Sequence, residues 1–244
     1  MNSRDPQEQE IINSWHLNAA PWARAIRTAS IASRKFVTDQ AIIDAVCSVA
    51  CRRILDVGCG EGWLARVLSD LGMSVTGVDV VPELVSQAAA MPPGSAGDMA
   101  FHLQDYASIA NRRWRCGPFD AAVCNFSLLG RESVDSLLAA LPWYLDDPGY
   151  LIVQTLHPVA ACGERPYQDG WRDGSWQGFG GDFNNPAPWY FRTLETWMAL
   201  LQRCGFDILE RREPKAAGAV TPASVIWIGK LRRSAQTGDL VNGA

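Results

Sequence analysis

The chain has 244 residues, a formal net charge of −4, 48% hydrophobic residues and 20% charged residues. This length and composition are typical of a globular protein with one large domain and a sizeable buried core. The acidic balance argues against a basic surface for nucleic acid, and no apolar run approaches the roughly 18 residues that a membrane-spanning helix needs.

The seven cysteines follow no paired pattern, and the three histidines are scattered along the chain. No C-x-x-C spacing occurs, and no histidine or third cysteine accompanies Cys47 and Cys51, so no metal site is expected. The first ten residues, MNSRDPQEQE, lack the apolar core of a signal peptide. We therefore expect reduced thiols in a cytoplasmic protein that binds neither nucleic acid nor membranes, with its oligomeric state left open.

A helical cap is predicted at 10–50. Ile11 and Trp15 recur at helical spacing, and Pro21 suits the first turn of a helix. Thr38 is expected to cap a following helix with its hydroxyl group.

Strands and helices alternate after this cap. Strands are expected at 54–57, 75–78, 100–103, 119–125, 150–155, 206–209 and 224–228, with helices between most of them. This alternation predicts an α/β fold, a doubly wound and mostly parallel sheet with helices on both faces. We expect one domain over 1–244, with its core at 51–232 and a disordered tail at 233–244.

The alternation stops between 157 and 190, where glycine, proline and aromatic residues are frequent. A loop this long in a compact domain is usually functional or disordered, and its aromatic content argues against disorder. We predict a lid that closes over a substrate. The alternative is a satellite hydrophobic cluster packed under a long loop.

The first predicted strand runs into the glycine-rich sequence GCGEG at 58–62. Its G-x-G-x-G spacing differs from the G-x-G-x-x-G of dinucleotide sites, where the last glycine would stand at Trp63. Glu61 would repel a pyrophosphate, whereas the glycines still let a ligand approach the backbone closely. The loop therefore favours an adenosine cofactor that carries no phosphate.

Polar residues follow the next strands at the edge where open α/β sheets bind ligands. Asp79 ends the second strand and can accept from both hydroxyls of a ribose, while Asp105 can accept from an adenine amine or merely cap a helix. Asn125 either contacts the cofactor or only closes the fourth strand. The predicted cofactor-binding residues are Asp56, Gly58, Cys59, Gly60, Asp79, Val80, Gln104, Asp105, Tyr106, Asn125 and Phe126.

At these motifs the sequence resembles the class I S-adenosylmethionine-dependent methyltransferases, over about 54–228. The run LDVGCGEG at 55–62 is similar to the first motif of that family, and Asp79 and Asp105 match its ribose and adenine ligands. Pro148-Gly149-Tyr150 departs from the Pro-Gly-Gly turn of the family. The sequences WHLNAAPW at 15–22 and PWYFRTL at 188–194 also resemble a bacterial group of small-molecule methyltransferases.

The resemblance implies a Rossmann-like, seven-stranded sheet whose last strand, here 224–228, runs antiparallel. It implies S-adenosylmethionine as cofactor, S-adenosylhomocysteine as product and a small molecule as methyl acceptor. Two other functions stay open: a nicotinamide-dependent oxidoreductase, which uses a similar sheet, and a non-catalytic module that binds S-adenosylmethionine.

Residues near the fifth strand and in the lid are the candidates for the acceptor side. His157 follows the fifth strand and is expected to act as a general base or only to hold its loop. Arginine suits an anionic acceptor and aromatic rings suit an aromatic one, while an aromatic cage for a cation is the rival hypothesis. The predicted substrate-binding residues are Trp15, Trp22, Arg172, Trp189, Tyr190 and Arg192.

Overall fold

The computed structural model describes residues 5–92, 96–180 and 182–232. The predicted tail at 233–244 lies outside the described residues. The chain begins with helix α1 (Pro6–Arg27), continues through a π-helical turn (Arg34–Thr38) and enters α2 (Asp39–Cys47). None of the helices in the described ranges is long and apolar enough to cross a membrane.

Two details of the predicted N-terminal cap are wrong. Pro21 lies inside α1 and not at the start of a helix. Burial of Ala19 and Ala23 against the core offsets the hydrogen bond that a proline removes. Thr38 makes no capping hydrogen bond, because the π-helical turn runs without a break into α2.

The described residues form nine strands, in chain order β1 (Arg53–Val57), β2 (Ser74–Asp79), β3 (Met99–Leu103), β4 (Phe119–Asn125), β5 (Leu145–Leu156), β6 (Gly170–Arg172), β7 (Trp189–Phe191), β8 (Phe206–Arg212) and β9 (Ser224–Leu231). Seven of them form one sheet in the order β3-β2-β1-β4-β5-β9-β8. Strands β1 to β5 pair in parallel, and β9 lies antiparallel between β5 and β8. The predicted fold class and the antiparallel last strand are therefore confirmed.

Helices cover both faces of this sheet: α3 (Trp63–Asp70), α4 (Pro82–Ala90), α5 (Tyr106–Ala110), α6 (Glu132–Ala140), α7 (Pro158–Cys162) and α8 (Leu194–Arg203). Alternation along β1 shows the two layers. Leu55 and Val57 pack in the core beneath α5, α6 and α8, whereas Ile54 packs beneath α2 and α3. Because helices cover both faces of the sheet at β1, a ligand can reach this part of the sheet at the ends of its strands.

The predicted lid at 157–190 has regular structure of its own. It contains the short helix α7, and strands β6 and β7 form a small antiparallel sheet in which Trp171 pairs with Tyr190. The Tyr190 N–H donates to the Leu129 carbonyl, 2.7 Å away, in the loop after β4. The segment is therefore tied to the carboxyl edge of the main sheet.

Candidate functional site

A cavity of about 780 Å³ lies at the carboxyl ends of the central strands. Because β1, β2 and β4 run in parallel, the residues that follow them meet at this edge. The cavity brings together most of the predicted site residues: Trp15, Trp22, Gly58, Gly60, Asp79, Val80, Asp105, Tyr106, Asn125 and Phe126.

The glycine loop is packed tightly against the loop after β4. Gly58 has a φ of +77°, and a Cβ built on it would lie 2.3 Å from the Cβ of Ser127. The Ser127 hydroxyl donates to the Val57 carbonyl, 2.6 Å away, which holds the two loops together. A side chain at position 58 would be both strained and in collision, so the sequence needs glycine there.

Asp79 is the residue at the end of β2, and its two carboxylate oxygens are fixed by the backbone. One oxygen accepts from the Gly60 N–H at 2.9 Å and the other from the Val81 N–H at 2.9 Å. Burial raises the pKa of Asp79, although these hydrogen bonds oppose the shift. A carboxylate oxygen that accepts one bond has a lone pair left for a ligand hydroxyl.

Asp56 lies under the glycine loop, outside the cavity wall, and is almost fully buried. Burial and the nearby charge of Asp79 raise the pKa of Asp56 to about 7. Its Oδ2 has no hydrogen-bond partner in the described part of the chain, and neither does the Oδ1 of Asn125 at the end of β4. Two such buried acceptors suit a ligand that donates hydrogen bonds.

Asp105 and Tyr106 line the cavity where β3 gives way to α5. The Asp105 carboxylate accepts from the Ser108 N–H at 2.7 Å, so it caps α5 while it also faces the cavity. The Tyr106 hydroxyl donates to the Ser127 carbonyl at 2.9 Å. Gln104 and Cys59 were predicted beside them, but the structure places both outside the cavity wall.

Glu61 does not face the cavity. Its carboxylate pairs with Arg66 at 2.5 Å, and Arg66 also donates to the Glu61 carbonyl at 2.7 Å. The predicted repulsion between Glu61 and a pyrophosphate is therefore not what the geometry shows, because Arg66 compensates the charge. The spacing of the glycines still differs from that of a dinucleotide site, and this difference does not depend on Glu61.

Aromatic rings from α1 and the lid pack together beside the glycine loop. Trp15 lies 5.2 Å from Trp22 and 5.7 Å from Trp176, measured between ring centres. Phe179 lies 6.2 Å from Trp22. Since Trp15 and Trp22 line the cavity, these lid residues pack against part of its wall.

Hydrogen bonds fasten the same part of the lid to α1. The buried Asn18 side chain donates to the Asn184 carbonyl at 2.7 Å and accepts from the Asn184 N–H at 2.9 Å. Ser14, one turn earlier, donates to the Asn185 carbonyl at 2.5 Å. Asn18 thus holds the backbone of one lid residue, Asn184, through both of its polar groups.

Four predicted substrate-binding residues lie away from the cavity. Arg192 is buried and donates to the carbonyls of Gly130 and Arg131 and to the carboxylate of Asp135. Its guanidinium therefore holds the lid to the start of α6 and is not free to bind an anionic substrate. Arg172 is likewise engaged, with the Pro166 and Gln168 carbonyls, and Trp189 and Tyr190 also stand outside the wall.

His157 is also outside the cavity wall. Its ring is 4% exposed, and its Nε2 lies 3.6 Å from a carboxylate oxygen of Glu213. Neither ring nitrogen has a hydrogen-bond partner in the portions of the chain that the structure describes. The described residues therefore provide no side-chain hydrogen bond by which His157 could hold its loop.

The cavity also includes residues that the sequence gave no reason to select. Glu8 at the start of α1 lines it and accepts from the N–H groups of Arg131 and Ser133, which lie more than a hundred positions away. Such a contact has no signal in the sequence. Ser127 could have been found, because it directly follows the predicted pair Asn125-Phe126 at the end of a strand.

All seven cysteines are unpaired. Across 5–92, 96–180 and 182–232, no group of three or more histidine, cysteine, aspartate or glutamate side chains is arranged to hold a metal ion.

A family model described as a methyltransferase domain matches residues 15–211. A ubiquinone biosynthesis O-methyltransferase from Xanthomonas oryzae pv. oryzae is 31% identical over 120 residues, 49% of this chain and 49% of that protein. The same enzyme from Xanthomonas campestris pv. campestris is 32% identical over 110 residues, 45% of each chain. The chain thus spans about half the length of the curated relatives it matches.

Solved structures share the fold at low sequence identity. A Burkholderia thailandensis 1,6-didemethyltoxoflavin-N1-methyltransferase, with bound 1,6-didemethyltoxoflavin and S-adenosylhomocysteine, has a TM-score of 0.64 and 16% identity. That likeness covers 96% of this chain and 93% of the other. A magnesium protoporphyrin IX methyltransferase from Synechocystis with bound S-adenosylmethionine has a TM-score of 0.61 and 16% identity, over 96% of this chain and 100% of the other.

Proposed function

The chain belongs to the methyltransferase-domain family, and we propose that it transfers a methyl group from S-adenosylmethionine to a small-molecule acceptor. The observation that carries this proposal is the Asp79 carboxylate, which stands in the cavity wall with each oxygen anchored by a backbone N–H. A ribose presents two adjacent hydroxyl donors, which suit the remaining lone pairs of a carboxylate.

Other residues at the same edge fit the remaining parts of this cofactor. Asp105 and Tyr106 line the same cavity, which supports a role for them in holding the adenine, and Gly60 allows close approach of the backbone. The partnerless Oδ1 of Asn125, which lines the cavity, suits the ammonium group of the methionine portion. When bound, the cofactor supplies a methyl group on a positively charged sulfur, which a nucleophile can displace in line.

The protein contributes orientation and exclusion of water to such a reaction. Holding the acceptor atom close behind the methyl group and in line with it can supply roughly 7–11 kcal/mol of the barrier. Trp15 and Trp22 from α1, covered by Trp176 and Phe179 from the lid, form the apolar enclosure beside the glycine loop. Their positions support a lid function for this part of 157–190.

We propose that the methyl acceptor is an aromatic molecule. The rings of Trp15 and Trp22 line the cavity that would hold the methyl donor, and aromatic rings pack favourably against one another. The relatives named as O-methyltransferases support a hydroxyl oxygen of the acceptor as the atom that is methylated. An anionic acceptor has less support, because Arg192 is engaged with backbone carbonyls and Arg172 stands outside the cavity wall.

His157 is proposed as the base for an acceptor that loses a proton on methylation, reached when the lid segment that it begins moves. His157→Gln should then lower kcat for a hydroxyl acceptor, which must lose a proton, and leave kcat unchanged for an acceptor atom that carries no proton. Equal losses for both acceptors would assign His157 to the structure of the lid.

The cellular location of the protein and its partners are also part of this proposal. Seven unpaired cysteines support the cytoplasm as the working compartment. The net charge of −4 supports small molecules over nucleic acid as partners.

Thermal unfolding with different cofactors tests the proposed donor. A ligand at about a hundredfold over its dissociation constant stabilises by roughly 2.7 kcal/mol, which is about 5–10 °C in Tm for a chain of this size. We expect that shift with S-adenosylmethionine and none with NAD. A shift with NAD alone would support the oxidoreductase, and donor binding without turnover of any acceptor in a screen would support a binding module.

A further inference from the structure

Arg113 is a cationic residue of the cavity wall to which the proposed function gives no role. It lies three residues after the end of α5. Among the cavity-lining residues of the described ranges, it is the one arginine or lysine. Its side chain is exposed and makes no hydrogen bond or ion pair with another described residue. An unpaired guanidinium on a cavity wall can bind a carboxylate or phosphate group of a ligand.

The two arginines that the sequence suggested for an anionic substrate are placed differently. Arg192 is buried and donates to backbone carbonyls, and Arg172 stands outside the cavity wall. Arg113 lines the wall and keeps its side-chain donors available. The structure therefore moves the candidate clamp for an anion from the lid to the loop after α5.

Acidic residues at the starts of α1 and α6 also line the cavity, but each of their charges is compensated. Asp5 accepts from a backbone N–H at the start of α1, and Glu8 accepts from two backbone N–H groups at the start of α6. Glu132 lies in the first turn of α6, where the helix dipole favours a negative charge. Arg113 has no comparable compensation from the described residues, so its charge is available to a ligand.

The methyl donor does not supply the anion for Arg113. Its one anionic group is the carboxylate of its methionine portion, and the proposed function places that portion at Asn125, where β4 ends. Asp105 and Tyr106, proposed for the adenine, stand at the start of α5, and Arg113 follows the other end of this helix. Arg113 thus lies on the adenine side of the donor. An anion bound there belongs to a second ligand.

The cavity is large enough for that second ligand. Its volume of about 780 Å³ is near the upper end of the roughly 300–1,000 Å³ of small-molecule sites. Its lining residues on α1 extend from Glu8 to Trp22, which corresponds to about 21 Å along a helix. Apolar side chains that suit the body of an aromatic molecule also line it: Ile11, Ile12, Ala107 and Ala110.

We propose that Arg113 binds an oxyanion, a carboxylate or a phosphate-type group, that the methyl acceptor carries apart from its reacting atom. The proposal rests on the proposed function, since it assigns a second group to the acceptor of that reaction. Arg113 then determines specificity: it selects acidic acceptors and takes no part in the methyl transfer itself. Because its side chain is exposed, the contact contributes less than a buried ion pair would.

Matched acceptors test the proposal on the unaltered chain. Each set contains a dihydroxyphenyl carboxylic acid, the corresponding phosphonic acid and the primary amide, with a spacer of none to four methylene groups after the ring. With S-adenosylmethionine as donor, the KM for at least one kind of acid should be about 3- to 10-fold lower than that for its amide, at the spacer length that reaches Arg113. Equal KM values for acids and amides throughout the series would overturn the proposal.

Substitutions at Arg113 separate recognition of the anion from support of the fold. Arg113→Met should raise the KM for the preferred acid by the same factor of about 3 to 10 and change that for the amide by less than about twofold. Arg113→Glu should reverse the preference, so that the matching amine is methylated at a lower KM than the acid. Equal losses for acid and amide in both variants would assign Arg113 to the structure of the loop and overturn the proposal.

Arg112→Met is the matched control. Arg112 is the neighbouring exposed arginine, but it lies over the ring of Trp143, 4.4 Å from the ring centre, and outside the cavity wall. The ratio of the two KM values should therefore stay as in the parent. If the unaltered chain methylates no member of the series, the proposed aromatic hydroxyl acceptor fails and the inference falls with it. If it methylates acids and amides alike, the inference fails while the proposed function stands.

Discussion

Asp79 and Asn18 each hold backbone groups of another segment through both polar atoms of the side chain, but they do so over different distances along the chain. Asp79 accepts from Gly60 and Val81, which are 19 and 2 residues away. Asn18 binds the backbone of Asn184, which is 166 residues away. We call the two regions the donor half (56–63, 79–81, 104–106 and 125–127) and the acceptor half (α1, the lid at 157–190 and the two residues after it, Phe191 and Arg192).

The difference teaches what each half requires of the sequence. In the donor half, parallel strands deliver their last residues to one edge, so a motif of eight residues and an acid at the next strand end suffice. In the acceptor half, residues come together only through tertiary contacts between α1 and the lid. The predictions below test whether the two halves are also separate in energy and function.

The largest expected effect lies in the donor half, at Asp56. Its pKa is about 4 in an unfolded chain and about 7 in the folded one, so the folded chain retains a proton that the unfolded chain has lost. The free energy of unfolding should therefore fall by up to about 4 kcal/mol as the pH rises from 4 through 7.

Asp56→Asn should remove that fall, leaving the variant more stable than the parent above pH 7. Urea unfolding at pH 5 and at pH 8 measures it. If the two proteins lose the same stability between these values, Asp56 is ionised in the folded chain and the burial argument fails.

Glycine substitutions separate collision from backbone strain. Gly58 and Gly72 both have positive φ angles, +77° and +87°, but a Cβ on Gly72 meets nothing within 4 Å. Gly72→Ala should cost about 1 kcal/mol through strain alone, and Gly58→Ala about 3 kcal/mol because it also collides with Ser127. Denaturant unfolding of the two variants gives the comparison, and equal costs would show that the loop after β4 moves aside freely.

Most of the fold could be predicted from the sequence, because hydrophobic periodicity and strand–helix alternation are local. Helix α4 and strand β4 have the predicted bounds, 82–90 and 119–125, and β5 is longer than expected at both ends. The short elements α7, β6 and β7 were not predicted. Elements of three to five residues carry too few periods to be recognised, and β6 and β7 exist through their pairing.

The site was predictable to the same extent and for the same reason. Asp79 and the glycines stand where the motif puts them, because their partners are strand neighbours. Arg192 was expected to bind the substrate. Its hydrogen-bond partners instead lie at 130–135, and no pattern in the sequence predicts these contacts. A cation among aromatic residues looks the same in sequence whether it binds a substrate or a carbonyl of its own chain.

Asp79→Ala should weaken binding of S-adenosylmethionine about 10- to 150-fold, which corresponds to roughly 1.5–3 kcal/mol for the hydrogen bonds of one carboxylate. Calorimetry on the folded variant measures it. Arg192→Ala is the control in the acceptor half. It should lower stability and leave donor affinity within about twofold, since its partners lie outside the cavity wall.

If Asp79→Ala binds S-adenosylmethionine as tightly as the parent, then Asp79 only ends strand β2 and does not bind the donor. A loss of donor affinity in Arg192→Ala would instead show that the two halves are coupled, and the division drawn above would have to be given up.

The smallest effect is expected at Asn18, where the acceptor half can be loosened without touching the donor half. Asn18→Ala removes both hydrogen bonds to Asn184, worth about 1–2 kcal/mol to the closed lid. The lid should then open more often, so limited proteolysis at 175–185 should be faster. The KM for the acceptor should rise by about tenfold, while donor affinity stays the same.

Asn13→Ala is the matched control for this variant. Asn13 is exposed on the same helix and bonds to Gln9 within α1, so its loss should leave both proteolysis and the KM for the acceptor as they were. If Asn18→Ala unfolds more easily but shows neither faster lid cleavage nor a raised KM, then the aromatic contacts between α1 and the lid form a satellite core. In that case the segment at 157–190 supports the fold and does not open over a substrate, which is the alternative that the sequence left open.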